Sequence, residues 1–397
     1  MSPAEYWGAL RQRWPLLLAV PLLFSWGDAA FWYRGNVQTA QVPANRAATP
    51  LAPLGDHALM LETPATGAQL LISPLANVPL QDLAGQTLTA GAWVWADRPG
   101  VLAEIGVAYK TPTQPAAIVM SQPITVTTTP TFIAQPFVLP GQVSYIHYQI
   151  VARLPQATTP AAHLYVDGAL LAPGQFPRGA APAFASADAA SGEWGGQPFT
   201  NLLRNPSGER TWPRLRPALD SLLLRYIHRS PAQVVAAFMD VQRIVPEFWP
   251  LLVQPAVESM VMSFAWSHVR LSNVAWLYLA QGLAILALLG SLRWLLKHRP
   301  AREQQAAMLF LLFVDLLIWV NMLLRPLPLL GEVFVVPAAR YTFPALGITM
   351  LILLGGWRAL WPPRWQARVT FALLAGLFIM NLVAIQTITA FYQAVRL

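Results

Sequence analysis

Residues 83–96 read LAGQTLTAGAWVWA, and they give the strongest indication of the fold of the first half of the chain. After the turn at Gly85-Gln86, small and apolar residues occupy every even position from 88 to 96, which places them on one face of a strand. Trp93 and Trp95 lie on the opposite face. Seven further short runs between Pro and Gly turns show strand character: 58–62, 69–73, 101–109, 118–121, 131–138, 144–153 and 163–171. The pattern predicts an all-β jelly roll or β-sandwich over 57–176.

The predicted strand over 143–153 also has two different faces. Its even positions from 146 to 152 form an apolar core face, whereas Tyr145, His147 and Gln149 point the other way. Rings stack on sugars, and imidazole and amide groups bond hydroxyls. We therefore predict that these three residues, together with Trp93 and Trp95, bind a glycan. The alternative is that the two Trp rings fill a second core layer or pack on membrane-proximal helices, because aromatic residues are most often buried.

Three stretches resemble the jelly rolls of carbohydrate-binding modules: ALML at 58–61, the stretch at 83–96, and LYVDGALL at 164–171. In those modules a Gly-Gln-Thr-Tyr turn leads into an Ala-Trp-Val-Lys-Ala strand, and a Val-Asp-Asp-Val-x-Leu strand closes the domain. Here Leu88 stands for the Tyr and Gly168 for the second Asp. The resemblance covers about 47–176 and implies the fold; many such modules bind no sugar and serve as structural appendages.

Composition points to a membrane. Hydrophobic residues make up 55% of the chain and charged residues only 11%, against about a quarter in soluble domains. The net charge of +8 comes largely from Arg residues that flank apolar runs, so we expect no nucleic-acid partner. The chain has no Cys and therefore no disulfide. Its six His residues show no ligand spacing and no phosphate-loop motif is present, so we expect neither metal nor cofactor.

Apolar segments of about 20 residues are long enough to cross a bilayer as helices. Five segments qualify: 14–33, 273–292, 306–324, 341–361 and 369–392. Basic residues cluster on one side of these spans and predict the cytoplasmic side: Arg11, Arg13, Arg293, Lys297, Arg299, Arg302, Arg358, Arg364 and Arg368. The first span is expected to be an uncleaved anchor; the alternative is a cleaved signal peptide, which the bulky Phe31-Trp32-Tyr33 disfavours.

The predicted class is therefore a membrane α-helical protein of about five spans with an extracytoplasmic all-β domain. Its predicted parts are a cytoplasmic N-terminus (1–13), an anchor (14–33), a linker (34–56), the jelly roll (57–176), a loop with interfacial amphipathic helices (177–270), a four-helix membrane region (271–392) and an external C-terminus (393–397). The interfacial helices are expected at 217–228, 232–245 and 248–269. The last of these is the alternative sixth span.

Polar residues at the predicted outer membrane surface are the candidates for chemistry. Asp28 and Arg340 are the catalytic candidates. The candidates for binding a lipid phosphate are His268, Arg270, Arg325, Arg340 and Tyr341. The alternative is that these basic side chains snorkel to headgroups. Three polar residues are expected inside the spans: Asp315, Asn321 and Asn381.

A second resemblance covers roughly 201–392. The motifs SFAWSHVRL at 263–271 and ARYTFPAL at 339–346 resemble the C-terminal part of large bacterial membrane proteins related to the GT-C glycosyltransferases. Those enzymes carry an acidic pair in the first outer loop, next to further spans; this chain has only Asp28 there.

We therefore expect a non-catalytic envelope protein that binds glycans, accessory to polysaccharide or glycoconjugate assembly, with the bilayer and a multi-spanning glycosyltransferase as partners. The alternatives are a split GT-C-type transferase subunit that uses a polyprenyl-phosphate-linked sugar, and a structural subunit of a membrane complex.

Overall fold

The computed structural model describes residues 23–35, 42–64, 67–76, 78–111, 117–155, 161–227, 231–261, 263–264, 269–271, 273–297, 302–324, 342 and 344–395. Contacts divide the chain into two compact units, with the boundary between Ile244 and Val245.

The first unit is mainly β. Its strands are β1 (Phe24–Gly35), β2 (Val42–Ala48), β3 (His57–Thr63), β4 (Ala68–Pro74), β5 (Thr87–Ala96), β6 (Val101–Lys110), β7 (Ala117–Met120), β8 (Ile124–Val126), β9 (Thr131–Val138), β10 (Tyr145–Arg153), β11 (Ala162–Pro173), β12 (Ala183–Phe184), β13 (Ser191–Trp194), β14 (Gln197–Thr200) and β15 (Thr211–Leu215). A short α1 (Leu80–Leu83) precedes β5. Three helices follow β15: α2 (Pro217–Ile227), α3 (Pro231–Met239) and α4 (Val241–Glu247), which crosses the boundary between the units.

Twelve strands form one antiparallel sheet in the order β7-β6-β10-β4-β1-β2-β3-β11-β5-β9, with β15 beside β1 and β8 beside β6. The sheet folds over itself into a jelly-roll-like β-sandwich, in which β10 and β5 lie in facing layers. The Tyr148 hydroxyl of β10 donates to the Gly91 carbonyl of β5 across the layers, at 2.8 Å. All eight strands predicted from alternation are present, so the β-sandwich prediction is confirmed.

The core contains the predicted apolar faces of two strands. The even positions of β5 and of β10 belong to one buried cluster that both layers share. Trp32 of β1 is fully buried in the same cluster, packs edge-on against Tyr148 at 5.8 Å, and donates its indole N–H to the Asn205 carbonyl at 2.8 Å. Burial of these side chains is the main stabilising term of the unit.

The predicted anchor at 14–33 is wrong over its described part, because Phe24–Gly35 is strand β1 in the middle of the sheet. From Asp28 onward both faces of β1 are covered: Trp32 lies in the sandwich core, and Tyr33 packs with Trp212 and Ala236 on the other side. A strand buried on both faces has no polar alternation and reads as a continuous apolar run.

The β domain is also larger than predicted at both ends. The predicted linker at 34–56 contains β2, and the predicted loop after 176 contains the three-stranded sheet β12-β13-β14 and strand β15. Two buried Asn side chains hold this later segment to the sandwich. Asn201 accepts from the Leu171 N–H and donates to the Ala169 carbonyl, and Asn205 donates to the Ala30 carbonyl.

The second unit is mainly helical. It contains a π-helical segment (Phe248–Val253), α5 (Gln254–Val261), a short strand pair β16 (Ser263–Phe264) and β17 (Val269–Arg270), and four longer helices: α6 (Ala275–Lys297), α7 (Arg302–Leu324), α8 (Leu346–Ala359) and α9 (Pro363–Val395). The predicted single helix over 248–269 is therefore wrong, since it ends at Val261 and a strand pair follows. Helices are present at all four predicted C-terminal spans.

Two of these helices have stretches long and apolar enough to cross a bilayer, Ala275–Trp294 and Pro363–Gln393. The apolar parts of the other two are shorter, Leu309–Leu324 and Leu346–Ala359. Helices α6 and α8 approach each other closely at glycines. A Cβ on Gly356 would collide with the Ala287 carbonyl, and a Cβ on Gly290 with the Gly356 carbonyl. Ser291 donates its hydroxyl to the Ile352 carbonyl at 2.9 Å. Small residues at the contact and a polar bond across it are typical of helix pairs in membranes.

Candidate glycan-binding face of the sandwich

The outer face of β3, β11 and β5 carries two adjacent rows of side chains. In one row Met60, Tyr165 and Trp95 are cross-strand neighbours. In the next row Glu62 is opposite His163, and Asp97 follows β5. Alternate residues of a strand share a face, so the aromatic row and the polar row lie side by side. We call these six residues the outer-face patch.

Tyr165 is the accessible ring of the patch. It is partly exposed, and its ring stacks on Trp95 with centroids 5.6 Å apart and planes inclined by 16°. Trp95 itself is only 1% exposed, so the prediction that it offers a free stacking surface is wrong. Burial, and then the negative charge of Asp97, raise the pKa of Tyr165, which keeps its hydroxyl protonated as a donor.

The polar row is held in place and remains open to solvent. Asp97 accepts the His163 backbone N–H at 3.1 Å and pairs with the His163 ring Nδ1 at 2.9 Å. Both side chains are 37% exposed, and Glu62 is exposed beside them. The pairing leaves Nε2 of His163 without a partner among the described residues. The row therefore presents carboxylate acceptors and an imidazole next to an aromatic ring.

Trp93 lies further along the same face, where a second core layer covers the sheet. Its ring packs edge-on against Phe132 at 5.5 Å, and Phe132 in turn contacts the buried Trp194 of the small sheet. Phe176 and Phe199 also belong to this second cluster. For Trp93 the structure agrees with the stated alternative of packing against a second core layer, whereas Trp95 stacks on Tyr165.

Asp167, the cross-strand neighbour of Trp93, stabilises the local backbone. It is fully buried and accepts the N–H groups of Leu54 and Gly168, each at 2.7 Å. Gly168 has φ +53 at a point where the register between β11 and β5 shifts, a conformation that favours glycine. Burial raises the pKa of Asp167 to about 7, against the opposing effect of the two backbone N–H groups.

The predicted glycan residues of β10 lie together but are mostly covered. Tyr145 and Gln149 are buried, and His147 is partly buried. Gln149 bonds the His147 ring at 3.2 Å and reaches the Met120 sulfur at 2.9 Å. Burial lowers the pKa of His147 to about 4, so its ring is neutral at physiological pH. This face is a packed polar strip, whereas the outer-face patch is accessible.

Asp28 does not lie at the outer end of a membrane helix. It is a buried residue of β1, opposite Trp212 of β15, and Arg214 donates to its Oδ1 at 2.6 Å. Burial raises the pKa of Asp28 in spite of the Arg214 charge. The predicted position of Asp28 at a membrane surface, from which its catalytic role was predicted, is therefore wrong, because the carboxylate forms an ion pair inside the β domain.

The other predicted polar residues belong to the second unit or lie outside the described residues. Asp315 accepts from the Thr349 hydroxyl at 2.6 Å, so it bonds a neighbouring helix. Asn381 donates to the Leu377 carbonyl of its own helix at 3.0 Å, and Asn321 is exposed. Arg270 lies in β17. Four predicted residues lie outside the described part of the chain: His268, Arg325, Arg340 and Tyr341.

Sequence reasoning missed Tyr165, His163, Asp97 and Glu62. Alternation along 163–171 places His163 and Tyr165 on one face, and that signal was readable. Their cross-strand neighbours were not, because the order β3-β11-β5 joins strands far apart in the chain. Among the described residues, no group of three or more His, Asp or Glu side chains is arranged to hold a metal ion.

No protein-family model matches the chain, and no curated protein matches it. Among solved structures, part of the chain is similar to a family 16 carbohydrate-binding module-2, with 19% identity over 33% of this chain and 85% of that one, at a TM-score of 0.25. It is also similar to TmCBM61 in complex with β-1,4-galactotriose, with 13% identity over 36% of this chain and 90% of that one, at a TM-score of 0.26. A third similar structure is the C-terminal family 22 carbohydrate-binding module of Clostridium thermocellum Xyn10B, with 11% identity over 37% of this chain and 91% of that one, at a TM-score of 0.29. At such identities and TM-scores, these similarities identify neither a family nor a ligand for this chain.

Proposed function

We propose that this chain is a membrane-embedded envelope protein that binds a glycan at the outer-face patch of its β-sandwich and assists polysaccharide or glycoconjugate assembly. The observation that carries the proposal is the Tyr165 ring, which is partly exposed, backed by the buried Trp95, and adjacent to the open Asp97–His163 pair.

The chemistry of the patch suits a sugar. A pyranose has apolar C–H faces and a rim of hydroxyls, so it needs a flat ring beside hydrogen-bonding groups. Tyr165 supplies the ring, and Asp97 and Glu62 supply acceptors. The stacking on Trp95 fixes the ring before binding, which lowers the entropy cost of ordering it.

The membrane location is supported by exposed apolar surface. In the apolar windows of α6 and α9, only 17% and 6% of residues are buried, whereas a core helix of a soluble protein is mostly buried. On α9, Phe371 and Phe378 are 75% and 64% exposed. Bilayer contact is the environment in which such surface is stable. The outer location of the sandwich rests on the basic residues at 293–302 and 358–368, which favour the cytoplasmic side.

A glycan array probed with the full chain in lipid nanodiscs tests the proposal. We expect binding to at least one saccharide class and about tenfold weaker binding for Tyr165→Ala, because loss of the stacking ring costs roughly 1–2 kcal/mol. Tyr165→Phe keeps the ring and is expected to retain most of the affinity. Trp26→Ala removes an aromatic side chain that is 50% exposed on β1 and serves as the matched control.

Two results would contradict this function. One is absence of binding to every saccharide on the array by the unmodified chain. The other is equal binding by the unmodified chain and Tyr165→Ala, which would remove the outer-face patch from any glycan contact.

A further inference from the structure

The second unit contains a large apolar cavity that is partly open to the surface. Its volume is about 1300 Å³, above the usual range of roughly 300–1,000 Å³ for small-molecule pockets. Apolar side chains of α6, α8 and α9 form most of its walls, and Asp315 and Trp319 of α7 also line it. The Thr349 hydroxyl donates a hydrogen bond to the Asp315 carboxylate, so this acid already has a partner within the protein. A cavity of this size and polarity suits hydrocarbon chains.

Basic side chains gather at one end of the helices that form the cavity. Arg293 and Lys297 lie near the end of α6, Arg358 near the end of α8, and Arg364 and Arg368 at the start of α9. Arg293 donates to the Leu360 carbonyl at 3.4 Å, which places the ends of α6 and α8 together. Among the described residues, none of these five side chains has a carboxylate partner within ion-pair distance. An anion would therefore be favoured at this end.

Arg368 links the two features. It lines the cavity, is exposed, and its guanidinium lies over the Trp365 ring at 5.4 Å from the ring centre. Trp357, near the end of α8, and Trp365, near the start of α9, also line the cavity, and Trp and Tyr rings are enriched where headgroups meet hydrocarbon. The Arg368 guanidinium and the two Trp rings are thus positioned to contact a lipid headgroup whose hydrocarbon chains lie in the cavity.

We propose that this cavity binds a phospholipid with an anionic headgroup, whose acyl chains fill the chamber and whose phosphate pairs with Arg368. The inference rests on the membrane location proposed above. It places the lipid at the end predicted to be cytoplasmic, so it differs from a polyprenyl-linked sugar bound at the outer surface.

Native mass spectrometry of the full chain released from detergent, with equal amounts of phosphatidylglycerol and phosphatidylcholine, tests the proposal. We expect preferential retention of phosphatidylglycerol and at least about fivefold weaker retention for Arg368→Gln, since one basic group near an anionic headgroup contributes about 1 kcal/mol. Arg225→Gln, an exposed Arg of α2, makes the same charge change elsewhere and is expected to have no effect.

A second variant tests the chamber without a charge change. Gly376 lines the cavity and has no atom within 4 Å of an added Cβ, so Gly376→Phe fills the space without a backbone clash. Gly347 is equally open but does not line the cavity, and Gly347→Phe is the control. We expect lipid retention to fall only for Gly376→Phe.

Equal retention of the two phospholipids, an unaffected Gly376→Phe variant, or stronger retention of an added polyprenyl phosphate would each overturn the lipid assignment. Failure of the chain to enter bilayers would instead overturn the proposed membrane location, so the two failures are distinguishable.

Discussion

In the β-sandwich the largest fully buried side chains include Trp32, Trp95 and Trp194, whereas on α9 Phe371 and Phe378 are 75% and 64% exposed. The sandwich buries its largest rings and shows polar rows such as Glu62–His163 outside. The helices show aliphatic and aromatic faces outside and keep polar contacts such as Asp315–Thr349 between helices. The difference is the one expected between a unit whose solvent is water and a unit whose solvent is hydrocarbon.

The comparison also explains how each unit is held together. Apolar burial against water stabilises the sandwich, and the Tyr148–Gly91 bond joins its layers. Lipid tails are as apolar as Leu, so helices in a bilayer gain little from apolar contact alone and depend on close backbone approach and polar bonds. The Gly290–Gly356 contact and the Ser291–Ile352 bond supply both.

The largest expected effect is in the sandwich core. Trp32→Ala removes a fully buried ring and its bond to Asn205, and should lower the free energy of unfolding of the β unit by about 3–5 kcal/mol. Trp26→Ala, on the exposed part of the same strand, should change it by less than about 0.5 kcal/mol. Pulse proteolysis of the full chain in urea measures both. Equal small effects would contradict the placement of β1 in the sandwich.

A smaller effect is expected in the helical unit. Gly356→Leu places a side chain against the Ala287 carbonyl and should destabilise the α6–α8 pair by about 1–3 kcal/mol. Gly355→Leu is the matched control, because nothing lies within 4 Å of its added Cβ. Thermal unfolding in detergent compares the two variants. Similar melting temperatures would show that the helices do not meet at these glycines.

The smallest effects concern pH. The pKa of Asp167 in the folded protein, about 7, lies above its ordinary value of 3.8. The contribution of Asp167 to stability is therefore complete below pH 3.8 and is lost as the pH rises from 3.8 to 7. His147 has the opposite sign: its folded pKa of about 4 lies below 6.5, so its contribution is lost as the pH falls through that interval. In the unmodified chain, the pH dependence of stability due to Asp167 therefore opposes the pH dependence due to His147.

Single variants separate these slopes. Relative to the unmodified chain, Asp167→Asn should gain stability as the pH rises from 4 to 7, by at most about 1.4 kcal/mol per pH unit. His147→Gln should lose relative stability over the same rise. Denaturant titrations at several pH values measure both. Parallel profiles for the three proteins would show that neither group titrates abnormally.

Alternation in the sequence predicted β3 to β7 and β9 to β11, because apolar residues at alternate positions indicate the strand face that packs against the core. It failed for β1, where Trp32 and Tyr33 are buried on opposite faces and the run imitates a membrane helix. The small sheet was missed because Gly and Ser between Ala183 and Thr200 indicate a loop; its large apolar residues, Phe184, Trp194 and Phe199, are isolated and show no alternation.

The candidate site was only partly predictable. The sequence indicated an aromatic and polar outer face on the sheet that contains β5, but it did not show which ring a neighbour covers. Trp95 is covered and Tyr165 is not, and this depends on the pairing of β11 with β5. Asp28 was misplaced because its partner, Arg214, lies on a strand that alternation did not reveal.

Spin labels can directly distinguish the two proposed environments, water for the sandwich and hydrocarbon for the helices. The chain has no Cys, so single spin labels can be introduced without removing native thiols. Phe378→Cys on α9 and Ile118→Cys on β7 both replace exposed apolar residues. In proteoliposomes, we expect the label at 378 to be accessible to oxygen and shielded from a water-soluble nickel chelate, and the label at 118 to show the reverse. Equal exposure of both labels to the nickel chelate would contradict this expectation.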